Sequence, residues 1–235
     1  MYRAVVREDD RWAEGTSVER TEHEGGLSAW PFRRVGVIVA HPDDETLWAG
    51  GLMLAHPRTE WVVISLCRGS DADRRPRFFR AMEVYGALGC MGDLDDGPDQ
   101  TPLSPAAVRQ AVLRLVGSNR FDLAITHDLA GEYTRHRRHE ETAAAVASLY
   151  REGRLPADNL WRFAYEDDGG AHLPQAVAQA DAVWRLPDAL AQRKHRIITE
   201  TYGFAEDSWE ARTTPRTEAF WYGPGIGEDV EQTSE

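Results

Sequence analysis

The sequence is short of lysine, of cysteine and of long apolar runs, and each shortage excludes a class of protein. All but one of the 27 basic residues are arginine, Lys194 being the exception, and 39 acidic residues bring the net charge to −12. Such a chain has no broad basic surface for a nucleic-acid backbone or for an anionic membrane. We therefore expect no nucleic acid and no membrane among its partners.

Two cysteines, Cys67 and Cys90, are too few for a disulfide framework. The longest apolar runs, such as Val35–Ala40, fall far below the roughly 20 residues that span a bilayer. The first ten residues carry mixed charges and lack the apolar run of a signal peptide. Together these features predict a cytoplasmic protein.

What the sequence does have is a repeated alternation of apolar strands and amphipathic helices. Strands are predicted at Val35–Ala40, Trp61–Leu66, near Cys90, and at Phe121–Thr126, Trp161–Tyr165 and Ala182–Leu186; helices are predicted at Thr46–His56, Pro76–Leu88, from Ser104 to about Val116, and at Glu140–Tyr150 and Asp188–Tyr202. This alternation is typical of an α/β fold with a mainly parallel sheet, helices on both faces, and here short β additions toward the C-terminus.

We assign residues 1–222 to a single α/β domain that begins with a lead-in arm at 1–32, and residues 223–235 to a loose acidic tail. The aromatic segment Phe220–Tyr222 is either core or an interface between copies, which leaves an oligomer open. No G-x-G-x-x-G follows the first strand, which argues against a dinucleotide site.

Many of the acidic residues crowd into loops that follow strands. These clusters are Asp43–Glu45, Asp71 with Asp73, Asp93–Asp99, and Asp128 with Glu132. Parallel sheets bind ligands at the carboxyl ends of their strands, so the clusters should share one edge of the sheet. Helix capping is the plain alternative for any one of these acids. The sequence assigns no role to the Asp93–Asp99 cluster, for which a solvated loop is the simplest explanation.

Two motifs carry the chemistry. Ala-His-Pro-Asp-Asp-Glu (Ala40–Glu45) stands directly after the first strand, and His136 and His139 share one face at the start of a helix that follows the fourth strand. Imidazole and carboxylate are normal ligands of zinc and similar ions. Taken singly, the first motif is explained by an acidic turn and the second by a pair of solvated histidines. Because the two motifs follow equivalent ends of two strands, together they predict a metal centre.

The segment Ala40–Glu45 resembles the signature of the LmbE/PIG-L-like family of zinc-dependent N-acetylglucosaminyl deacetylases. Further segments similar to that family are Gly50–Gly51, Ser65–Gly69, Arg77–Gly89, and Thr126–His139 with its Gly-Glu-Tyr and His-x-x-His elements. The resemblance covers roughly Val35–Leu149, about half of the chain.

The resemblance implies a Rossmann-like fold and hydrolysis of an N-acyl group on an N-acetylglucosamine-like sugar or its conjugate. It implies Zn²⁺, or another divalent transition metal, held by His41, Asp44 and His139. Asp43 then acts as the general base on water. His136, in a protonated form, stabilises the oxyanion, protonates the leaving amine, or does both.

Arg68 and Tyr133 match positions that face the substrate in that family. The family often has an acid or amide before its second histidine, whereas this chain has Arg138, so the sequence does not identify the residue that orients His136. Arg138 instead meets an anionic substrate group or Asp128. Glu45, at the helix start, and His127, at a strand end, are assigned structural roles.

Two alternatives remain open at this point. One is an amidase that uses the same residues on a thiol conjugate or another small amide. The other is a non-catalytic module that binds metal or carbohydrate, although such a module has no use for Asp43 beside its ligands.

Overall fold

A mostly parallel sheet forms the centre of the structure, a computed structural model that describes residues 30–225. The strands are β1 (Arg34–Val39), β2 (Glu60–Cys67), β3 (Leu88–Leu94), β4 (Leu123–Thr126), β5 (Leu160–Phe163), β6 (Tyr165–Glu166), β7 (Gln175–Ala176), β8 (Ala182–Arg185) and β9 (Thr217–Tyr222). The helices are α1 (Asp44–Ala55), α2 (Arg74–Tyr85), α3 (Pro105–Val116), α4 (Arg137–Arg151), α5 (Asp188–Arg196) and α6 (Trp209–Thr213), and a π-helical turn at Ile197–Thr201 continues α5.

Seven of the strands form one sheet in the order β3-β2-β1-β4-β5-β9-β8. Strands β1 to β5 are parallel to one another, whereas β9 is antiparallel to both β5 and β8. Strands β6 and β7 make a separate small ribbon. The predicted α/β fold, with its mainly parallel sheet and late β additions, is confirmed.

Helices cover both faces of this sheet, as predicted. Successive side chains of a strand point to opposite faces; in β1, Val37 enters the core under α1 and α2, and Ile38 enters the core under α3 and α4. Both side chains are fully buried. A strand with apolar residues at every position therefore joins two separate cores.

The predicted helix at Pro76–Leu88 is displaced by two to three residues. It spans Arg74–Tyr85, because Gly86 adopts a left-handed conformation with φ 64° that ends the helix. Leu88 therefore begins β3 instead of ending the helix. Ser104 caps the next helix, since its hydroxyl accepts a hydrogen bond from the amide of Ala107 at 3.2 Å.

The C-terminal part departs further from the prediction. The long helix predicted at Asp188–Tyr202 is α-helical only to Arg196, and sequence reasoning missed α6 and β9. The aromatic segment Phe220–Tyr222 lies at the end of β9, with Phe220 fully buried between the flanking strands. Phe220 is therefore part of the core.

The predicted lead-in arm (1–32) and the predicted tail (223–235) lie almost entirely outside the described residues. The division into one domain, an arm and a tail therefore stays a prediction. Among residues 30–225, no helix has both the length and the apolar character needed to span a membrane.

Candidate metal centre and active site

The candidate site lies at the carboxyl ends of β1 and β4, where the sheet reverses its winding direction. From β1 the chain proceeds outward to β2 and β3, and it then returns to place β4 on the other side of β1. Loops that diverge at such a point open a crevice, which is where sheets of this kind bind ligands. The loop after β1 carries Ala40–Asp43, and the loop after β4 carries residues 127–136. The two predicted motifs therefore meet.

The three predicted metal ligands, His41, Asp44 and His139, converge in this crevice. Nδ1 of His41 lies 3.2 Å from one carboxylate oxygen of Asp44 and 3.3 Å from Nε2 of His139. The other oxygen of Asp44 lies 3.3 Å from the same Nε2. Ligand atoms bonded to a tetrahedral zinc ion at about 2.0–2.2 Å are about 3.3–3.5 Å apart. The donor types and their spacing therefore fit a divalent ion of this kind.

A buried carboxylate, that of Glu132, fixes the ring of His139. It accepts hydrogen bonds from Nδ1 of His139 at 2.6 Å and from Nδ1 of His127 at 2.8 Å. Burial alone would raise the pKa of Glu132, but the charges and hydrogen bonds of the two histidines outweigh it and hold the pKa at about 2. An ionised partner on Nδ1 leaves Nε2 of His139 free as a ligand.

Asp96 supports His41 in the same way. One oxygen of Asp96 lies 3.1 Å from Nε2 of His41, and the other accepts from Nε of Arg68 at 2.7 Å. Burial opposes ionisation, but the hydrogen bonds from His41, Gln100 and Arg68 hold the pKa of Asp96 below its usual value. The expectation that the Asp93–Asp99 loop is merely solvated is therefore wrong for Asp96, whose side chain is 6% exposed.

His127 lies directly beside the ligands. Its ring stacks on that of His139 with centroids 3.9 Å apart, and its Nε2 lies 3.3 Å from Asp44. Asp44, His127 and His139 therefore form a second group with metal-ligand chemistry. However, Nε2 of the fully buried His127 accepts the amide hydrogen of Ala40 at 3.0 Å. Burial lowers the pKa of His127, but the charges of Glu132 and Asp44 outweigh it and raise that pKa to about 9. An Nε2 atom that either binds this amide or carries a proton offers no lone pair to a metal, which is consistent with a structural role for His127.

Asp43 occupies the N-cap position of α1 but does not cap the helix. Its backbone lies at φ 125° and ψ −27°, a region that residues other than glycine rarely adopt. Its carboxylate makes no capping hydrogen bond and instead lines the cavity described below. Burial and the negative charge of Asp44 raise the pKa of Asp43 well above its usual value. The capping alternative therefore does not apply to Asp43.

Glu45 holds this strained turn in place. One oxygen of the fully buried Glu45 accepts the amide hydrogen of Asp43 at 3.1 Å. The other accepts the hydroxyl hydrogens of Thr46 and Tyr202, each at 2.6 Å. Burial raises the pKa of Glu45 to about 7. Glu45 thus has its expected structural role, but through hydrogen bonds and not through the helix dipole.

His136 immediately precedes α4 and faces the ligands. Its ring centroid lies 4.5 Å from those of His41 and His139. Burial and the two neighbouring histidines lower the pKa of His136 to about 3, which disfavours the protonated imidazole expected from the sequence. Its Nδ1 has no hydrogen-bond partner within residues 30–225, so no carboxylate there orients this nitrogen.

Arg138 takes neither of its expected partners. It is buried and donates to the backbone oxygen of Asp95 at 2.6 Å and to the carboxylate of Glu141 at 2.5 Å. Asp128 pairs with Arg162 instead. Arg138 therefore ties the acid-rich loop to α4 and is not available to a substrate.

A cavity of about 220 Å³ opens beside the ligands. Its walls are formed by His41, Pro42, Asp43, Asp44, Leu47, Arg68, Arg74, Asp96, Tyr133, His136, Trp209 and Glu210. Both predicted substrate contacts, Arg68 and Tyr133, lie in the wall, and Tyr133 packs on Trp209 with ring centroids 4.7 Å apart. Sequence reasoning missed Arg74, Trp209 and Glu210, which no motif marks.

Comparison with known proteins agrees with this geometry. The family model described as "PIG-L: GlcNAc-PI de-N-acetylase" matches residues 36–150. N-acetylglucosaminyl-phosphatidylinositol de-N-acetylase from Bos taurus is 27% identical over 157 residues, which are 62% of this chain and 59% of the bovine protein. The matched region thus spans less than two thirds of that relative's length.

Solved structures share the fold. N,N'-diacetylchitobiose deacetylase from Pyrococcus horikoshii superposes with a TM-score of 0.62 at 16% identity, covering 85% of this chain and 88% of that one. GalB, the 4-carboxy-2-hydroxymuconate hydratase from Pseudomonas putida, superposes with a TM-score of 0.56 at 16% identity, covering 84% of this chain and 99% of that one. At such identities the likeness is one of fold, and the fold alone does not define the reaction.

Fold and site together define a Rossmann-like α/β protein with a candidate His/Asp metal site in the crevice of its sheet. Within that class, residues 36–150, just under half of the chain, are similar to the LmbE/PIG-L family of deacetylases.

Proposed function

We propose that this deacetylase uses zinc to remove the acetyl group from an N-acetylglucosamine-like sugar or from its conjugate. The observation that carries the proposal is the position of Asp43, whose carboxylate is uncapped and lines the cavity beside three convergent ligand atoms. The names of the bovine relative and of the archaeal structure, which refer to N-acetylglucosaminyl and N,N'-diacetylchitobiose groups, support the substrate class.

In this proposal His41, Asp44 and His139 hold the ion, and Asp96 and Glu132 fix the two imidazole rings. When bound, zinc supplies a Lewis acid that polarises a carbonyl group and lowers the pKa of water to about 7. Two imidazoles and one carboxylate suit zinc, and they also accept other divalent transition metals.

The remaining steps belong to side chains of the cavity. Asp43 accepts a proton from the attacking water, as a general base. The neutral His136 donates a hydrogen bond to the carbonyl oxygen while negative charge develops there. When the C–N bond breaks, the proton held by Asp43 passes to the leaving nitrogen. The products are acetate and the free amino sugar, and Asp43 returns to its starting state.

The test is an acetate-release assay on the zinc-loaded full chain with a methyl glycoside of N-acetylglucosamine as substrate. We expect release of acetate that stops when a chelator removes the metal and resumes when zinc is restored. The same assay with acetylated thiol conjugates and other small amides tests the amidase alternative. Hydrolysis of those amides without hydrolysis of any sugar would contradict the substrate class. Stoichiometric zinc without any hydrolysis would favour a binding module.

A further inference from the structure

Two arginines, Arg68 and Arg74, line the catalytic cavity, and their surroundings differ. Arg68 donates from Nε to Asp96 at 2.7 Å, and one of its terminal nitrogens lies 2.6 Å from the same carboxylate. Another lies 3.6 Å from Asp71. The charge of Arg68 is therefore already balanced by the protein, and part of its donor capacity is used.

The guanidinium of Arg74 has no such partner. Within residues 30–225 it makes no hydrogen bond, and its closest carboxylate, that of Asp43, is 3.8 Å away. That distance exceeds a hydrogen bond, so the N–H donors of Arg74 remain free in the wall of the cavity. The side chain is 31% exposed and is therefore accessible to a ligand.

Local structure nevertheless keeps Arg74 in place. It is the first residue of α2, where its backbone amide donates to the carboxylate of Asp71 at 2.9 Å. The central carbon of its guanidinium lies 4.4 Å from the centroid of the Phe204 ring. A cation–π contact of this kind restricts the group while leaving its N–H donors available.

From these contacts we propose that Arg74 anchors an oxyanion, a carboxylate or a phosphate, that the substrate carries in addition to its N-acetyl group. A planar guanidinium with free donors matches the paired oxygens of such groups and holds them by charge-assisted hydrogen bonds. This inference rests on the proposed function, because it names the substrate class of the same site. Phe204, which supports the anchor, lies outside residues 36–150, the segment that matches the family model.

The experiment compares three N-acetylglucosamine derivatives on the zinc-loaded protein: the neutral methyl glycoside, the carboxymethyl glycoside and the 1-phosphate. We expect the wild-type protein to prefer at least one anionic compound in kcat/KM, and the two anionic arms identify which oxyanion fits. Arg74→Gln should reduce that preference about 10- to 100-fold, mainly through KM. Arg74→Lys should retain part of it, because the charge remains but the planar fork is lost.

Arg75→Gln is the matched control. Arg75 is the next residue of the same helix, is exposed, and lies over Phe79 at 5.1 Å instead of lining the cavity. The same chemical change there should leave the preference for the anionic compound intact.

Calorimetric binding of the three compounds to the metal-free protein gives a readout that needs no turnover. We expect tighter binding of the favoured anionic compound to the wild-type protein and loss of this difference in Arg74→Gln. An anionic preference that is absent in the wild-type protein or unchanged in the variant would overturn the anchor. An equal loss of kcat/KM on charged and neutral sugars would also do so, because Arg74 would then act through Asp43. If no sugar is hydrolysed but Arg74-dependent binding is seen, the proposed function fails and the anchor stands.

Discussion

Asp43 and Asp44 are neighbours in the chain, yet their surroundings give them opposite properties. Both are buried, which raises a carboxyl pKa; for Asp44 the charges of His139 and His127 outweigh this and lower the pKa well below its usual value. For Asp43 the charge of Asp44 adds to burial and raises the pKa. Environments that separate the pKa values of two adjacent acids commonly separate their roles. Asp44 is suited to hold a cation and Asp43 to exchange a proton.

Replacing Asp43 by asparagine tests this division of roles at a single atom. Asp43→Asn keeps the shape of the side chain and removes its ability to accept a proton. We expect zinc content to be unchanged and kcat to fall by about 100- to 10,000-fold. Metal analysis and acetate release on the same sample measure both. Loss of zinc in this variant would show that Asp43 is a ligand.

The two histidines at the start of α4 make a matched pair. His139→Ala should abolish zinc binding, because it removes a ligand atom and leaves Glu132 without one of its two histidine partners. His136→Ala should retain zinc and lower kcat by about 100- to 1,000-fold, the usual effect of removing one oxyanion donor. His41, His136 and His139 are close enough to form a ligand group of their own. Loss of zinc from His136→Ala would therefore indicate that His136 is a metal ligand together with His41 and His139.

Site residues could be predicted from the sequence where a motif marks them, but not where they join the site only through contacts between distant parts of the chain. A metal centre could be proposed because the two motifs follow the ends of strands, and the resemblance to the LmbE/PIG-L family then selected His41, Asp44 and His139 as its ligands. Asp96 could not, because it contacts His41 across 55 positions through a loop with no motif. Arg74 could not either, since nothing in the sequence distinguishes a free arginine from one held by a carboxylate.

At the scale of the element, strand β9 fixes helix α1, which carries Asp44 at its start. Glu218 on β9 accepts the amide hydrogens of Gly51 and Leu52 at 2.6 and 2.8 Å and pairs with Lys194 at 2.8 Å. A Cβ atom on Gly51 would lie 2.5 Å from the side chain of Leu186 and 2.9 Å from that carboxylate, so the close packing favours glycine at this position. Sequence analysis missed β9 because the buried Glu218 interrupts the apolar pattern of the strand. The groups that bind Glu218 come from two helices that are distant in the sequence.

Lys194→Met should destabilise the fold by removing one half of this ion pair. Both side chains are fully buried, so the carboxylate of Glu218 would remain in the core without its cation. We expect the free energy of unfolding to fall by about 3–5 kcal/mol. Urea denaturation measures the change, and Arg193→Met, an exposed neighbour on α5, is the control. A loss below about 1 kcal/mol would mean that the amides of Gly51 and Leu52 suffice to hold the charge.

At the scale of the whole molecule, part of the excess of acid surrounds the candidate metal ligands. Asp43, Asp44, Asp96 and Glu132 all lie at the carboxyl end of the sheet within a net charge of −12. In the metal-free protein, burial opposes protonation of His41 and His139, but the neighbouring Asp44 outweighs it and raises the pKa of both. Protons therefore compete with a divalent ion for the nitrogen atoms of His41 and His139.

Zinc should consequently stabilise the entire fold, and less so as the pH falls. At a free zinc concentration about 1,000-fold above Kd, binding adds about 4 kcal/mol, which corresponds to a rise in Tm of about 10 °C for a chain of this size. Because zinc must displace protons from His41 and His139, the rise should shrink from mildly alkaline to mildly acidic pH. Scanning calorimetry with and without zinc measures it, with His139→Ala as the control that shows no rise. A rise that persists in His139→Ala, or that does not change with pH, would mean that zinc stabilises the protein from a different site.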